Sequence, residues 1–242
     1  MQKATLDVIR AHAIRVYPHE CCGLVVIVRG RERYVECTNA ATGADYFVLP
    51  AEEYAEAESL GSVVAVVHSH PDAPATPSEA DRVACEASGL TWHIAEVRKG
   101  DDGAVDMTGF ETIEPVGYTV PLVGRSFEHG VLDCYTLIRD WYRIERGIVL
   151  RDFRRWDDWW SQGADLYMSN FREAGFRPLA GSECLDAGDV ILMQIRADVA
   201  NHAAVYLGDG LMLHHLYGRL SSREVYGGYW LENTRLVLRY DS

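Results

Sequence analysis

His68-Ser69-His70-Pro71, followed by Ser78 and Asp81, is the stretch of this chain best equipped for chemistry. The run Val63-Val64-Ala65-Val66-Val67 leads straight into it, and a β-branched apolar run of that length reads as a buried strand. Two histidines two residues apart on a strand point their rings to the same face. Asp81 follows on a helix start for which Ser78 is the N-cap. Two imidazoles and one carboxylate leave the fourth position of a tetrahedral zinc open, the pattern of a catalytic rather than a structural site. The alternative is a pair of loop histidines beside a helix cap.

A zinc hydrolase also needs a base to take a proton from water. Glu20 is the candidate, placed just before the apolar run Gly23-Leu24-Val25-Val26-Ile27-Val28, where a strand edge can hold a carboxylate rigidly. Glu20, His68, His70, Ser78 and Asp81 together resemble the JAMM signature of the MPN/JAB metallopeptidases. The resemblance implies that His68, His70 and Asp81 ligate zinc and that Glu20 activates water. It implies that the Ser78 hydroxyl stabilises the oxyanion, and that the bonds cut are peptide or isopeptide bonds. It covers roughly the first 112 residues. The flanking Cys21 and Cys22 read as small packing thiols.

The second half carries a different chemistry. Gly130-Val131-Leu132-Asp133-Cys134-Tyr135-Thr136-Leu137-Ile138 passes from turn to amphipathic helix at the cysteine. A thiol in a first helical turn sees the positive end of the helix dipole, which favours the thiolate. Downstream, Gly188 to Met193 reads as a strand, and Asn201 to Gly210 as a strand closing in a glycine turn. Leu211 to His215 is then the returning strand of that hairpin. His202 can serve as general base to Cys134, with His214 across the hairpin to orient it, and alternation turns His215 to the other face. Asp133-Cys134 at a helix start, Gly188-Asp189 before a strand and His202-x3-Tyr206-x-Gly208-x-Gly210 resemble the NlpC-type cysteine peptidases. That resemblance covers about residues 121–242 and implies a papain-like α+β fold with a Cys134-His202-His214 triad. Members of that family often carry a tyrosine some twelve residues before the cysteine. Here that neighbourhood is Pro121-Leu122-Val123-Gly124, and the nearest tyrosine is Tyr118.

The remaining expectations come from composition and coarse patterning. The 242 residues are 48% apolar and 24% charged, the balance of a soluble globular protein, and their number allows two ordinary domains. A formal charge of −13 argues against nucleic acid as a partner. No apolar run approaches the ~18 residues of a membrane span. Met1 to Val16 reads as an amphipathic helix rather than a signal peptide. Six scattered cysteines, Cys21, Cys22, Cys37, Cys85, Cys134 and Cys184, read as reduced thiols.

Helices are expected at 3–16, 51–60 and 78–88, with strands at 23–28, 32–37, 63–68, 91–98 and 104–112. The fold class expected is α+β in two domains. An MPN/JAB-like α/β/α domain (1–112) precedes a linker (113–120) and the NlpC-type domain (121–242). His129 reads either as a substrate contact or as a solvent-exposed loop histidine. Trp156, Trp159 and Trp160 read either as the rim of a groove or, the favoured reading, as satellite core. Residues 166–176 read as a packing helix.

The order of the two domains, and the run Asp133-Cys134-Tyr135-Thr136-Leu137-Ile138-Arg139-Asp140, resemble a family of phage tail tip assembly proteins. The resemblance implies other tail tip proteins as partners, and peptidoglycan peptide as substrate during tail assembly or DNA delivery. It implies the host cytoplasm as the place of assembly, with the virion tail tip as a second location. The alternative is an assembly or chaperone component whose sites process a tail protein or are vestigial.

Overall fold

Strand β1 (Cys22–Val28) is apolar throughout because both of its faces are covered. It sits inside a sheet of order β2-β1-β3-β4-β5, with β2 (Arg31–Cys37), β3 (Ser62–Pro71), β4 (Thr91–Lys99) and β5 (Val105–Ile113). Ile9 of helix α1 (Lys3–Val16) packs on one face against Val25, Ala65 and Val67. Cys22, Leu24, Val26, Val66 and Trp92 line the other face. Ala57 of α2 (Ala51–Leu60) and Cys85 of α3 (Glu79–Ser88) cover them, which completes the expected α/β/α layering. The computed structural model describes residues 1–41 and 46–241.

Strand β3 runs to Pro71, beyond the expected end at 68. It pairs in parallel with β4 through His68↔Ile94, Ser69↔Ala95 and His70↔Glu96. Both histidines therefore stay in regular strand, and alternation puts them on the face of Val66, under α3.

The chain divides into two compact units, Met1–Thr119 and Val120–Ser242. Within the expected linker, the Glu86 carboxylate accepts the backbone N–H groups of Val116 (2.6 Å) and Tyr118 (2.8 Å), which ties this stretch to α3.

The second unit is α+β. Helix α4 (Cys134–Trp141) continues into one π-helical turn (Tyr142–Arg146), and α5 (Leu166–Asn170) follows. The six-stranded sheet has the order β10-β9-β8-β7-β11-β6. Its strands are β6 (Phe176–Pro178), β7 (Val190–Met193), β8 (His202–Gly208), β9 (Leu211–His214), β10 (Ser222–Val225) and β11 (Thr234–Tyr240). A short helix, α6 (Tyr229–Glu232), precedes β11. Leu137, Ile138 and Trp141 of α4 pack on Leu192, Ala203, Val205 and Leu213. Full burial of side chains such as Leu137 and Ile138 stabilises the unit by roughly 1.5–3 kcal/mol each. Alternation sends Ile191, Met193, Ala204 and Met212 to the opposite face, where Tyr206, Tyr226 and Trp230 cover them.

The helix expected over 166–176 stops at Asn170. Gly175, at φ 89°, turns the backbone into β6, where Phe176 pairs with Tyr240. Pairing to β11 thus overrides the helical spacing. No helix among the described residues is long and apolar enough to cross a membrane.

Candidate functional site

In the first unit, β-sheet register assembles the site. Cys22 lies opposite His68 in the antiparallel β1–β3 pair. Ser69 N–H donates to the Cys21 carbonyl (3.2 Å), and Cys21 N–H donates to Ser69 Oγ (2.8 Å). Extending that register by one residue sets Glu20 across from His70, on the face that carries both histidines. Glu20 is buried, and its charge acts on the His70 ring.

Asp81 arrives from the first turn of α3. Ser78 caps this helix: its Oγ accepts Asp81 N–H (3.0 Å), and Asp81 Oδ2 accepts Ser78 N–H (2.7 Å), a reciprocal capping box. Ser78 Oγ also donates to Asp81 Oδ2 (2.8 Å). The hydroxyl that the resemblance assigns to an oxyanion is therefore committed, in this arrangement, to orienting the carboxylate.

His68 Nε2, His70 Nε2 and the Asp81 carboxylate converge. His68 Nε2 is 3.1 Å from His70 Nε2 and 3.1 Å from Asp81 Oδ1, and His70 Nε2 is 3.5 Å from Asp81 Oδ2. A tetrahedral zinc with bonds of ~2.0–2.1 Å sets its ligand atoms about 3.3 Å apart, so the donors fit that ion. His70 Nδ1 donates to the Pro74 carbonyl (2.8 Å), which fixes the tautomer whose Nε2 lone pair a metal needs. His68 Nδ1 is buried without a hydrogen-bond partner among the described residues, its ring stacked on Phe47 at 4.8 Å. Burial lowers the His68 pKa. Burial acts the same way on His70, but Asp81 and the Pro74 carbonyl outweigh it and the ring is raised. Burial alone would raise Asp81, but its bonds to both histidines hold it well below the carboxylate range.

In the second unit, Asp133 caps α4 by accepting Thr136 N–H (2.9 Å) and places Cys134 in the first turn. Asp133 is itself buried and paired with Arg155 (2.7 Å). Arg155 also donates to the Gly130 and Phe153 carbonyls and to Thr136 Oγ1. One guanidinium thus ties the tryptophan segment to the cysteine turn. The Cys134 sulfur lies 3.1 Å from the Tyr167 hydroxyl. Tyr167 stands on α5 and packs edge-on against Trp159.

The expected dipole-activated thiolate is not what this arrangement holds. Cys134 is only 8% exposed; burial, then the Asp133 charge, push its thiol up to about 11, against the lowering effect of the Tyr167 bond. Desolvation is the largest effect because the sulfur has lost the water that would solvate its anion.

His202 opens β8, and its Nε2 is 3.0 Å from His214 Nδ1 on β9. His214 Nε2 lies 3.3 Å from Glu224 Oε1, and Glu224 is held by Trp230 Nε1 (3.0 Å) and Ser222 Oγ (3.3 Å). Glu224 therefore favours a proton on His214 Nε2. His214 Nδ1 then accepts from His202 Nε2–H, and His202 Nδ1 is left as the basic nitrogen. Burial, and then the charges that His214 and His215 would carry, bring His202 down to about 3. Burial also lowers His214, against the pull of Glu224.

The structure thus joins His202 to His214 and joins Cys134 to Tyr167. Ala203, the residue after His202, faces the α4 core. Glu224, Trp230 and Tyr167 had no sequence signal, since none stands at a motif spacing. His215 turns to the α4 side of the sheet, packs edge-on against Phe127 at 5.0 Å and is fully buried. His129 contacts the Trp156 carbonyl (3.0 Å) and so braces the tryptophan segment. Trp159 is core, as favoured from sequence, whereas Trp156 is 39% exposed and Trp160 lines a surface groove. All six cysteines are free thiols, and Cys184 alone of them is exposed.

Residues 2–108 match the prokaryotic homologs of the JAB domain, and residues 124–239 match the NlpC/P60 family. The chain is 43% identical over 243 residues to tail tip assembly protein K of Escherichia phage N15, covering 99% of this chain and 96% of that protein. It is 41% identical over 191 residues to tail tip assembly protein K of Escherichia phage lambda, covering 78% of this chain and 87% of that one. A solution structure of a protein from Salinibacter ruber, 28% identical, matches 53% of this chain and 98% of its own, with a TM-score of 0.31.

Proposed function

The chain belongs to the tail tip assembly protein K family, and from that premise we propose that it is a two-site hydrolase of peptidoglycan peptide or isopeptide bonds, acting in tail assembly or DNA delivery. One observation carries the reading: the ordered relay from Glu224 through His214 to His202, in the same unit as a thiol at a helix start. A scaffold has no physical need of a carboxylate that selects a histidine tautomer.

At the cysteine site, the thiol turns from Tyr167 toward the start of β8 and gives its proton to His202 Nδ1. The thiolate attacks the scissile carbonyl carbon, and the first-turn N–H groups of α4 stabilise the oxyanion. His202 returns the proton to the leaving amine as the C–N bond breaks. Water, deprotonated by His202, then hydrolyses the thioester and restores the thiol. His214 stays in place throughout, its ring held between His202 and Glu224. In the structure the nucleophile is hydrogen-bonded elsewhere; catalytic contacts often form fully only with substrate bound.

At the other site, His68, His70 and Asp81 would hold zinc, which supplies Lewis acidity and acidifies water. Glu20, facing His70, takes the proton of the attacking water and delivers it to the leaving amine. Ser78 keeps Asp81 in its ligating orientation. The expected oxyanion role of Ser78 requires its hydroxyl to leave Asp81 when substrate binds.

The partners in this reading are the wall peptide and other phage tail tip proteins, met in the host cytoplasm during assembly and then at the virion tail tip. The test is digestion of purified peptidoglycan by the full chain, by Cys134→Ala and by Glu20→Gln, with fragments identified by mass spectrometry. New amino termini lost in Cys134→Ala support the reading. An undigested wall, with a tail protein cleaved instead, favours an assembly role in which the sites process a phage protein.

A further inference from the structure

Arg196 stands in the loop that joins β7 to β8 and carries φ 48°, a left-handed backbone that side-chain-bearing residues seldom adopt. The loop is held from both ends. Asn201, immediately before His202, accepts Ile195 N–H (2.8 Å) through its side-chain oxygen and donates to the Ile195 carbonyl (3.0 Å). Gln194 donates to the Ala197 carbonyl (2.9 Å). Non-glycine residues persist in such conformations where the surroundings over-determine them, commonly at ligand clamps. Here the fixed conformation presents an exposed arginine on the loop that leads into His202.

Arg196 lines a groove with Ile195, Leu216, Arg219, Tyr229 and Trp230, of about 480 Å³. Trp230 forms the link to the catalytic histidines, with its ring 4.6 Å from that of His214 and 6.2 Å from that of His202. Arg219 is close enough for its charge to act on His214. Among the described residues, the groove is lined by two cations and no acid, in a chain of net charge −13. Asp198 of the same loop lines a separate groove with Trp160.

The chemistry says which half of the substrate this groove meets. The thiol takes the acyl half, and the histidine gives its proton to the leaving amine, so the leaving half lies on the histidine side. We infer that Arg196 and Arg219 form a carboxylate subsite for the leaving residue, so that the cysteine site selects bonds whose amine half carries a free carboxylate next to the scissile bond. Trp230 and Tyr229 take the apolar stem of that residue, and the two guanidinium groups take the carboxylate. The inference rests on the proposed peptidase reading and names the substrate class of that same site.

The test uses full-length chain carrying Cys134→Ala, and two forms of L-alanyl-γ-D-glutamyl-diaminopimelate, with the carboxylates of the leaving residue free or amidated. By calorimetry the free form should bind at least about tenfold more tightly than the amidated one. Arg196→Gln with Arg219→Gln should bring the two forms to parity, whereas Arg31→Gln with Arg33→Gln, an equal charge change on β2, should leave the preference intact. With Cys134 present, the first pair should raise KM for the free form more than for the amidated form. No saturable binding of the free form, no preference for it, or a preference that survives loss of both arginines overturns the subsite. If the preference holds but the unsubstituted chain cuts neither peptide, the proposed peptidase chemistry fails and the subsite stands.

Discussion

The sulfur of Cys134 and the hydroxyl of Tyr167 lie 3.1 Å apart, although thirty-three residues separate them in the chain. Asp133 caps the helix that carries the thiol, and Asp165 caps the helix that carries the tyrosine, so a capped helix sets each partner. The tyrosine that related enzymes often carry before the cysteine has no counterpart at that spacing here, but a phenol reaches the thiol from behind. Its hydroxyl is the donor that best offsets the cost of a buried thiolate.

Tyr167→Phe removes that donor, and burial then acts unopposed by it. Alkylation of Cys134 at pH 8 should slow about tenfold, the value of one hydrogen bond to a charged group. The measurement needs Cys184→Ser as background, since Cys184 is exposed and will label first. An unchanged rate would show that the hydroxyl does not stabilise the thiolate.

The relay makes the neighbouring histidines unequal. His214→Ala frees His202 to take the wrong tautomer, and kcat on wall peptide should fall by up to roughly ten-thousand-fold. Glu224→Gln should cost less, about ten- to a hundredfold, as for other residues that orient a ligand from behind. His215→Ala should leave turnover per folded molecule unchanged. It is not neutral, however, because a fully buried ring packed on Phe127 is lost and unfolding should need on the order of 2 kcal/mol less. Urea denaturation beside initial rates separates the two effects.

Arg155 is the ion-pair partner of the buried Asp133 and the largest influence holding its carboxylate ionised. Arg155→Met should destabilise that unit by about 3–5 kcal/mol, since it leaves a buried carboxylate unpaired. Adding Asp133→Asn should recover part of the loss. A melting transition that does not move in Arg155→Met would mean that water reaches Asp133.

Acid should weaken the same unit through its histidines. His202 is held down to about 3 and His215 to about 4, both chiefly by burial, whereas in the unfolded chain each titrates near 6.5. Above that value both states are neutral and neither histidine costs stability. As pH falls below it, only the unfolded chain takes the protons, so stability drops progressively until the folded values are reached. Urea midpoints between pH 7 and pH 4 should decline, with a shallower slope in His202→Gln.

Metal analysis tests the first unit. The purified chain should carry about one zinc, which His70→Ala or Asp81→Ala should abolish and Glu20→Gln should keep while losing hydrolysis. Ser78→Ala should cost about 1 kcal/mol through loss of the helix cap and should also weaken zinc retention, because Asp81 loses the groups that orient it.

Among the described residues, every element of the first unit was legible in the sequence to within a few residues, as was the convergence of His68, His70 and Asp81. Strand alternation puts His68 and His70 on one face, and a cap spacing puts Asp81 in a first turn, so local geometry suffices. Cys134 at a helix start, and His202 and His214 across a hairpin, were legible in the same way. What surrounds those groups came from packing between distant segments. Tyr167, Glu224, Trp230 and Arg155 reach them across a sheet or from a separate loop, and no period in the chain links such positions. The state of Cys134 shows why that matters: its place in a first helical turn predicts an acidified thiol, while its burial, which depends on the packing of a distant segment, pushes the thiol the other way.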